Sequence, residues 1–271
     1  MTLLIDNTPI ESFDFSGGEI HLRLDAFKLS DTVQVTALLT DSREIMKLLL
    51  TINAIRNLSP LTSIHLTLPY FPYARQDRVC NPGEAFGAQV VANLINSLDC
   101  ASVRIIDPHS NVTLSLVRNA QVIAWPDLIS GTSLESFIKK NKLSLVAPDA
   151  GAKEKTAHLA QHLGLPFFVA SKKRDPATGK ILASEIHENI SELNLLIVDD
   201  ICDGGQTFIS LAEQLKKQGA QNLYLYVTHG IFSKGFEALT KNFKKIFCYQ
   251  TINPKHPHPE GLVTILNKEN S

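Results

Sequence analysis

The chain has 271 residues, 44% of them hydrophobic and 20% charged, with a formal net charge of -1. That length exceeds the usual single-domain size, so two domains are expected. The near-neutral charge argues against general nucleic-acid binding by long-range attraction and points to small-molecule partners. No apolar run approaches membrane-spanning length, and Met1–Glu11 carries acids where a signal sequence would be basic and then apolar, so a cytoplasmic protein is expected. The four cysteines, Cys80, Cys100, Cys202 and Cys248, lack zinc-type spacing and read as packing residues or bystanders.

In chain order, short strands are expected at Leu3–Ile5, Ile20–Leu24 and Val33–Leu39, with FSGGEI as a hairpin turn between the first two. Ser42–Asn57 is amphipathic, with Ser42 as cap and Ile45, Leu48, Leu49, Ile52 and Ile55 at helical spacing. A buried strand at Ile64–Leu68 runs into PYFPYARQDRV, where Arg75 and Arg78 are placed to clamp phosphate oxygens and flat rings are placed to pack a base. The bland alternative there is a surface ion pair of Asp77 with an arginine. A helix over Ala85–Leu98 and a strand at Val103–Ile106 follow, the strand ending in Asp107-Pro108-His109-Ser110. After a strand at Gln121–Ala124, Pro126–Thr132 reads as a hinge, dividing the chain into domains 1–126 and 127–271.

The second half begins again with a strand at Leu143–Ala147, a loop carrying Asp149, and a helix at Lys153–Leu163. Asp149 suits a helix N-cap on local grounds alone. Phe167–Ala170 leads into SKKRDPATGK, whose Pro176, Thr178 and Gly179 suit a mobile loop. Next comes LLIVDDICDGGQTF. Leu195–Val198 has no polar alternation, as in a strand buried on both faces of a parallel sheet. Asp199 and Asp200 stand at its carboxyl end, and Asp203, Gly204, Gly205, Gln206 and Thr207 open a helix continuing through Leu215. Ligands bind at that end of open α/β sheets, and a helix N-terminus favours an anion, so the pattern suits a phosphorylated sugar: acids for ribose hydroxyls, the loop for phosphate. Strands at Leu223–Val227, followed by Thr228-His229-Gly230, and at Ile246–Thr251 complete the pattern, before a short strand-like Leu262–Leu266.

VDDICDGGQT resembles the 5-phosphoribosyl diphosphate (PRPP) motif of type I phosphoribosyltransferases and PRPP synthetases, the ribose-phosphate pyrophosphokinases. PYARQDR, FSGGEI, DPH, PDAG and THG resemble that synthetase family's other motifs in the family's order, from Phe15 to about Pro254. The resemblance implies two tandem phosphoribosyltransferase type I-like α/β domains with mostly parallel sheets. It implies transfer of the β,γ-diphosphate of ATP to the anomeric hydroxyl of ribose 5-phosphate, giving PRPP and AMP, with Mg²⁺. By position it assigns Phe15 and Glu19 to adenine across a subunit interface, and Arg75 and Gln76 to ATP. His109 and Asp149 would hold magnesium, Lys172 and Arg174 would stabilise the transferring diphosphate, and Asp199, Asp200 and the 203–207 turn would hold the ribose phosphate. A homo-oligomer, dimer or hexamer, follows from the shared adenine site, and no nucleic-acid or membrane partner is implied.

The chain departs from the family pattern in places. Gly17 stands for an Asp, Gln89 for a Lys, Gly204 for the turn's first Thr and Gln206 for a Gly. The lost Thr removes a donor to a 5-phosphate and reduces bulk, so an alternative acceptor is a ribose with a larger 5-group, such as ADP-ribose, giving its 1-diphosphate. That acceptor would tie the protein to NAD metabolism instead of nucleotide biosynthesis. The alternative of another class is a non-catalytic regulatory subunit of a true synthetase.

Overall fold

In a computed structural model of the chain, residues 3–24, 27–174, 181–252 and 256–268 are described, the side chains of 172–174, 181–185 and 268 excepted. The chain divides into two units, Met1–Ile123 and Ala124–Ser271.

The first unit is built on a six-stranded sheet among the described residues, in the order Thr8–Pro9, Leu3–Ile5, Thr32–Ala37, Ser63–Leu68, Ser102–Ile106 and Ala120–Ile123. The last four are parallel, and Leu3–Ile5 runs antiparallel to both of its neighbours. Strand alternation is clear where one face meets a helix. Val33, Val35 and Ala37, and Ile64, Leu66 and Leu68, point into one core with Leu48, Ile52 and Ile55 of helix Ser42–Leu58. The expected turn in FSGGEI is the hairpin Phe13–Asp14 with Ile20–His21. Asp41, one residue ahead of the expected Ser42, caps the long helix: its extended backbone aims the carboxylate at Glu44 N, 3.0 Å away.

In the second unit the strands run Phe167–Val169, Ser144–Ala147, Asn194–Cys202, Asn222–Gly230, Lys245–Thr251 and Val263–Ile265, all parallel. The two earliest strands of this sheet lie to one side of Asn194–Cys202 and the later ones to the other. Chain direction across the sheet therefore reverses between Ser144–Ala147 and Asn194–Cys202, the switch point where open sheets leave a crevice. Leu195, Leu196, Ile197 and Val198 are fully buried, each contributing about 1.5–3 kcal/mol of apolar burial. Ser171–Arg174 pairs antiparallel with Ile181–Glu185 beside the main sheet.

Two local expectations change. Pro126–Thr132, read as a hinge, begins within the helix Trp125–Ile129, whose first turn tolerates Pro126 because the missing N–H has no intrahelical partner to lose. Trp125 is buried and its Nε1 donates to Thr228 Oγ1 at 3.0 Å, so the segment packs on the second unit. Strands Asn194–Cys202 and Asn222–Gly230 also continue through the acids and through Thr228-His229-Gly230, where the sequence pattern had ended them. No helix among the described residues is long and apolar enough to cross a membrane.

The capping geometry gives a direct test. Asp41→Ala lowers stability by about 1 kcal/mol, read as a lower urea midpoint, whereas Ser42→Ala leaves that midpoint nearly unchanged.

Candidate functional site

Two sets of side chains stand at strand carboxyl ends, one in each unit. In the first unit, the loop after Ser63–Leu68 carries Arg75, Gln76, Asp77 and Arg78, and the loop after Ser102–Ile106 carries His109. Asp77 is buried and receives Arg78 Nε at 3.0 Å, so the expected alternative of a local ion pair holds for Arg78, although its side chain is 76% exposed. Burial opposes the Asp77 charge, yet neighbouring Ser110, the Arg78 guanidinium and His109 hold its carboxyl below the usual range. Ser110 and His109 of the second loop thus stand near Asp77 of the first. Arg75, Gln76 and His109 are all exposed. Gln76 lies over the start of helix Gly87–Ser97: a Cβ on Gly87 would collide with its Oε1, and its carbonyl accepts from Ala88 N at 3.1 Å.

Phe15, 54% exposed, sits on the Phe13–His21 hairpin among Phe13 and His21, its ring centroid 5.5 Å from each. Glu19 folds back over Gly17, where a Cβ would stand 2.5 Å from its Oε2. The Asp expected by resemblance at position 17 would need that space, so its loss and the placement of Glu19 go together.

In the second unit, Asn194–Cys202 pairs with Ser144–Ala147 only from Leu195 to Ile197, but with Asn222–Gly230 as far as Cys202. Beyond Ile197 the strand has no strand neighbour on the first side among the described residues. Asp199 and Asp200 stand on that overhang, and Asp149 follows the shorter neighbour. Asp149 Oδ1 accepts from Gly151 N at 2.9 Å and Ala152 N at 3.3 Å, so it braces its own loop and is not the helix cap of the local reading; that position is Ala152, ahead of Lys153–Leu163. Asp199 Oδ1 accepts from Asp200 N at 2.9 Å, and Asp200 Oδ1 from Ile201 N at 2.8 Å. Burial, then the charge of Asp200, with Asp149 adding to it, pushes the Asp199 carboxyl well above its ordinary value. Burial likewise raises the Cys202 thiol, which leaves it no thiolate for nucleophilic work.

The turn that follows is shaped by Gly205. Its φ of +77° and the 2.9 Å between an added Cβ and Leu239 Cδ2 both require glycine. No side chain caps helix Gln206–Lys217, which leaves its first amides directed at the turn. Thr207 is exposed at this start. Gln206 does not face the turn as its place in the motif had suggested; its Nε2 donates to Ser210 Oγ at 3.1 Å along the helix. Asp203 Oδ1 accepts from Ser233 Oγ at 2.6 Å, which ties the turn to the segment after Asn222–Gly230. Sequence reasoning did not reach Ser233 or Lys234, because nothing in their spacing marks them.

Lys172 and Arg174 lie on strand Ser171–Arg174, where Lys172 pairs with Ser184 and Arg174 with Ile181; their side chains, and residues 175–180, lie outside the described residues. Among the described residues no three His, Cys, Asp or Glu side chains cluster closely enough to hold a metal ion. His109 belongs to the first unit and Asp149 to the second.

The raised Asp199 carboxyl fixes a pH response. A carboxyl raised on folding keeps its proton longer in the folded state, so stability falls as pH rises above the unfolded value of about 4. Asp199→Asn is therefore more stable than the parent at pH 7 in thermal unfolding without ligand, and this advantage disappears below about pH 4.

Residues 2–98 match the N-terminal domain of ribose phosphate pyrophosphokinase, and residues 118–262 match the phosphoribosyl transferase domain. Ribose-phosphate pyrophosphokinase from Thermococcus kodakarensis is 30% identical over 95% of this chain and 89% of its own length. That from Campylobacter jejuni is 32% identical over 83% of this chain and 73% of its own. The fold matches a crystal structure of the phosphoribosylpyrophosphate synthetase from Mycobacterium smegmatis with a TM-score of 0.79 at 22% identity, over 95% of this chain and 85% of that one. With paired acids on a switch-point strand, a glycine turn at a helix start and both domains matched in order, the chain belongs to the ribose-phosphate pyrophosphokinase family of enzymes.

Proposed function

We infer that this enzyme transfers the β,γ-diphosphate of ATP to ribose 5-phosphate. The anomeric oxygen attacks the β-phosphorus, the bond from that phosphorus to the oxygen bridging to the α-phosphate breaks, and AMP leaves. The observation that carries this reading is the second-unit arrangement: Asp199 and Asp200 on the overhang of Asn194–Cys202, followed at once by the Gly205 turn and the uncapped helix Gln206–Lys217. Carboxylates there accept hydrogen bonds from ribose hydroxyls, and the amides receive a phosphate.

The first unit would bind ATP. Arg75 and Gln76 take its phosphates, and Phe15 and Glu19 take the adenine of a nucleotide held by a neighbouring subunit, which makes the active form a homo-oligomer. Lys172 and Arg174 stabilise the charge on the moving diphosphate, in a reaction whose catalysis is chiefly positioning and neutralisation. Asp149, Asp199 and Asp200 offer the oxygen donors that a hard cation takes, and the crowding that raises Asp199 would be relieved by one. Bound Mg²⁺ would neutralise phosphate charge; His109 is its candidate ligand in the first unit. ATP and a sugar phosphate as substrates fit a cytoplasmic enzyme.

A larger 5-group such as that of ADP-ribose would need open space beside Gly204. Gln206 Nε2 donates to Ser210 Oγ, and the Lys234 stem lies within van der Waals contact of a Cβ placed at Gly204, which leaves little open room for a larger 5-group. Ribose 5-phosphate is therefore favoured.

The test is AMP release from ATP and Mg²⁺ with ribose 5-phosphate and, in parallel, with ADP-ribose. The expected kcat/KM is higher for ribose 5-phosphate; the reverse ratio would replace it as acceptor, and no AMP with either would favour a regulatory role. Lys172→Ala lowers turnover by orders of magnitude with little change in ATP affinity, because its interaction belongs mainly to the transition state.

A further inference from the structure

Lys234 lies against the phosphate turn from outside the motif. A Cβ built on Gly204 would stand 3.4 Å from Lys234 Cδ, 3.5 Å from Cε and 3.7 Å from Cγ. The methylene stem thus covers the face of Gly204 from which the Thr expected by resemblance would project. The backbone beneath it is fixed: Ser233 bonds Asp203 twice, from Oγ to Oδ1 at 2.6 Å and from N to the carbonyl at 3.2 Å. Gly235, with φ +70° and its N–H 2.8 Å from Phe232 O, then turns the chain away. Lys234 is exposed, and no hydrogen bond or ion pair engages its ammonium among the described residues.

A stem held by packing beside a phosphate-binding turn, with an unengaged cation at its end, is an arrangement for an anion. We propose that Lys234 is a substrate-binding residue that meets the phosphate on O5 of the acceptor ribose, taking over the donor role lost with the Thr at position 204. An ammonium is a point charge with three donors, so it serves a terminal monoester and the first phosphate of a diphosphate alike. The proposal rests on the ribose-side reading above, but its test reads binding instead of turnover.

Lys234→Met keeps the stem and removes the charge. Titration of ribose 5-phosphate into the full-length protein with Mg²⁺ and without ATP should show roughly tenfold to hundredfold weaker binding in this variant, the loss expected for one charge-assisted hydrogen bond. The KM for ATP should be unchanged, and Lys234→Arg should restore most of the binding. A parallel titration with ADP-ribose identifies which phosphate is met: a loss confined to ribose 5-phosphate marks the terminal monoester, a loss shared by both the first phosphate. Unchanged affinity for both ligands in Lys234→Met, or no binding of either by the parent, would overturn the proposal. If the parent binds ribose 5-phosphate, Lys234→Met weakens that binding and yet no AMP is released with ATP, the reaction assignment fails while the role of Lys234 stands.

Discussion

Two adjacent carboxylates on a strand with no polar face are the constraint on which the second unit depends. The strand is held by apolar burial of Leu195–Val198, which needs neighbours on both faces and both edges. The acids need the opposite, an open edge and donors. The conflict is resolved by length: Ser144–Ala147 stops pairing at Ile197, so the acids ride on the part of the strand with one strand neighbour. Even so, Asp199 is held in a state unfavourable to its charge. That cost is what one expects of a site whose counter-charges arrive with the ligand.

Departures from the family pattern share a physical form. Gly17 and Gly204 both replace a residue with a polar side chain; Glu19 lies in the space a Cβ at the first would take, and the Lys234 stem lies at contact distance from a Cβ at the second. Gln76 lies over Gly87 in the same manner. Removing a Cβ lets a longer side chain lie flat on the backbone, so a functional group can be delivered from a different position in the chain. Comparison of motifs position by position records a lost group and does not see its substitute.

This explains what was legible in the sequence. The apolar run ending in two acids gave the parallel strand and the switch-point site, because periodicity and the position of charge are local properties. The 203–207 turn was readable for the same reason, since Gly205 answers a backbone demand. The end of the strand was misjudged because Asp199, Asp200 and Ile201 are poor indicators of pairing, which here is dictated by Val227 and His229 on the next strand. Asp41 was passed over for Ser42 because both can cap, and backbone direction decides between them. Gln206 turns along its own helix to Ser210, an i,i+4 pairing that its place in the motif hid, whereas the contact of Lys234 with Gly204 joins segments about 30 residues apart and leaves no local mark.

The central place of Asn194–Cys202 has a consequence during synthesis. Its partners are Ser144–Ala147, made well before it, and Asn222–Gly230, made after it. The Asp203 turn is completed only when Ser233 arrives, and Gly205 has its packing partner only with Leu239. A chain still on the ribosome therefore carries both acids and the whole motif before the turn is closed. Competence for the sugar phosphate comes with closure of the distant parallel pairing, a late event for contacts of such sequence separation, so the ligand can select only chains whose second unit has finished folding.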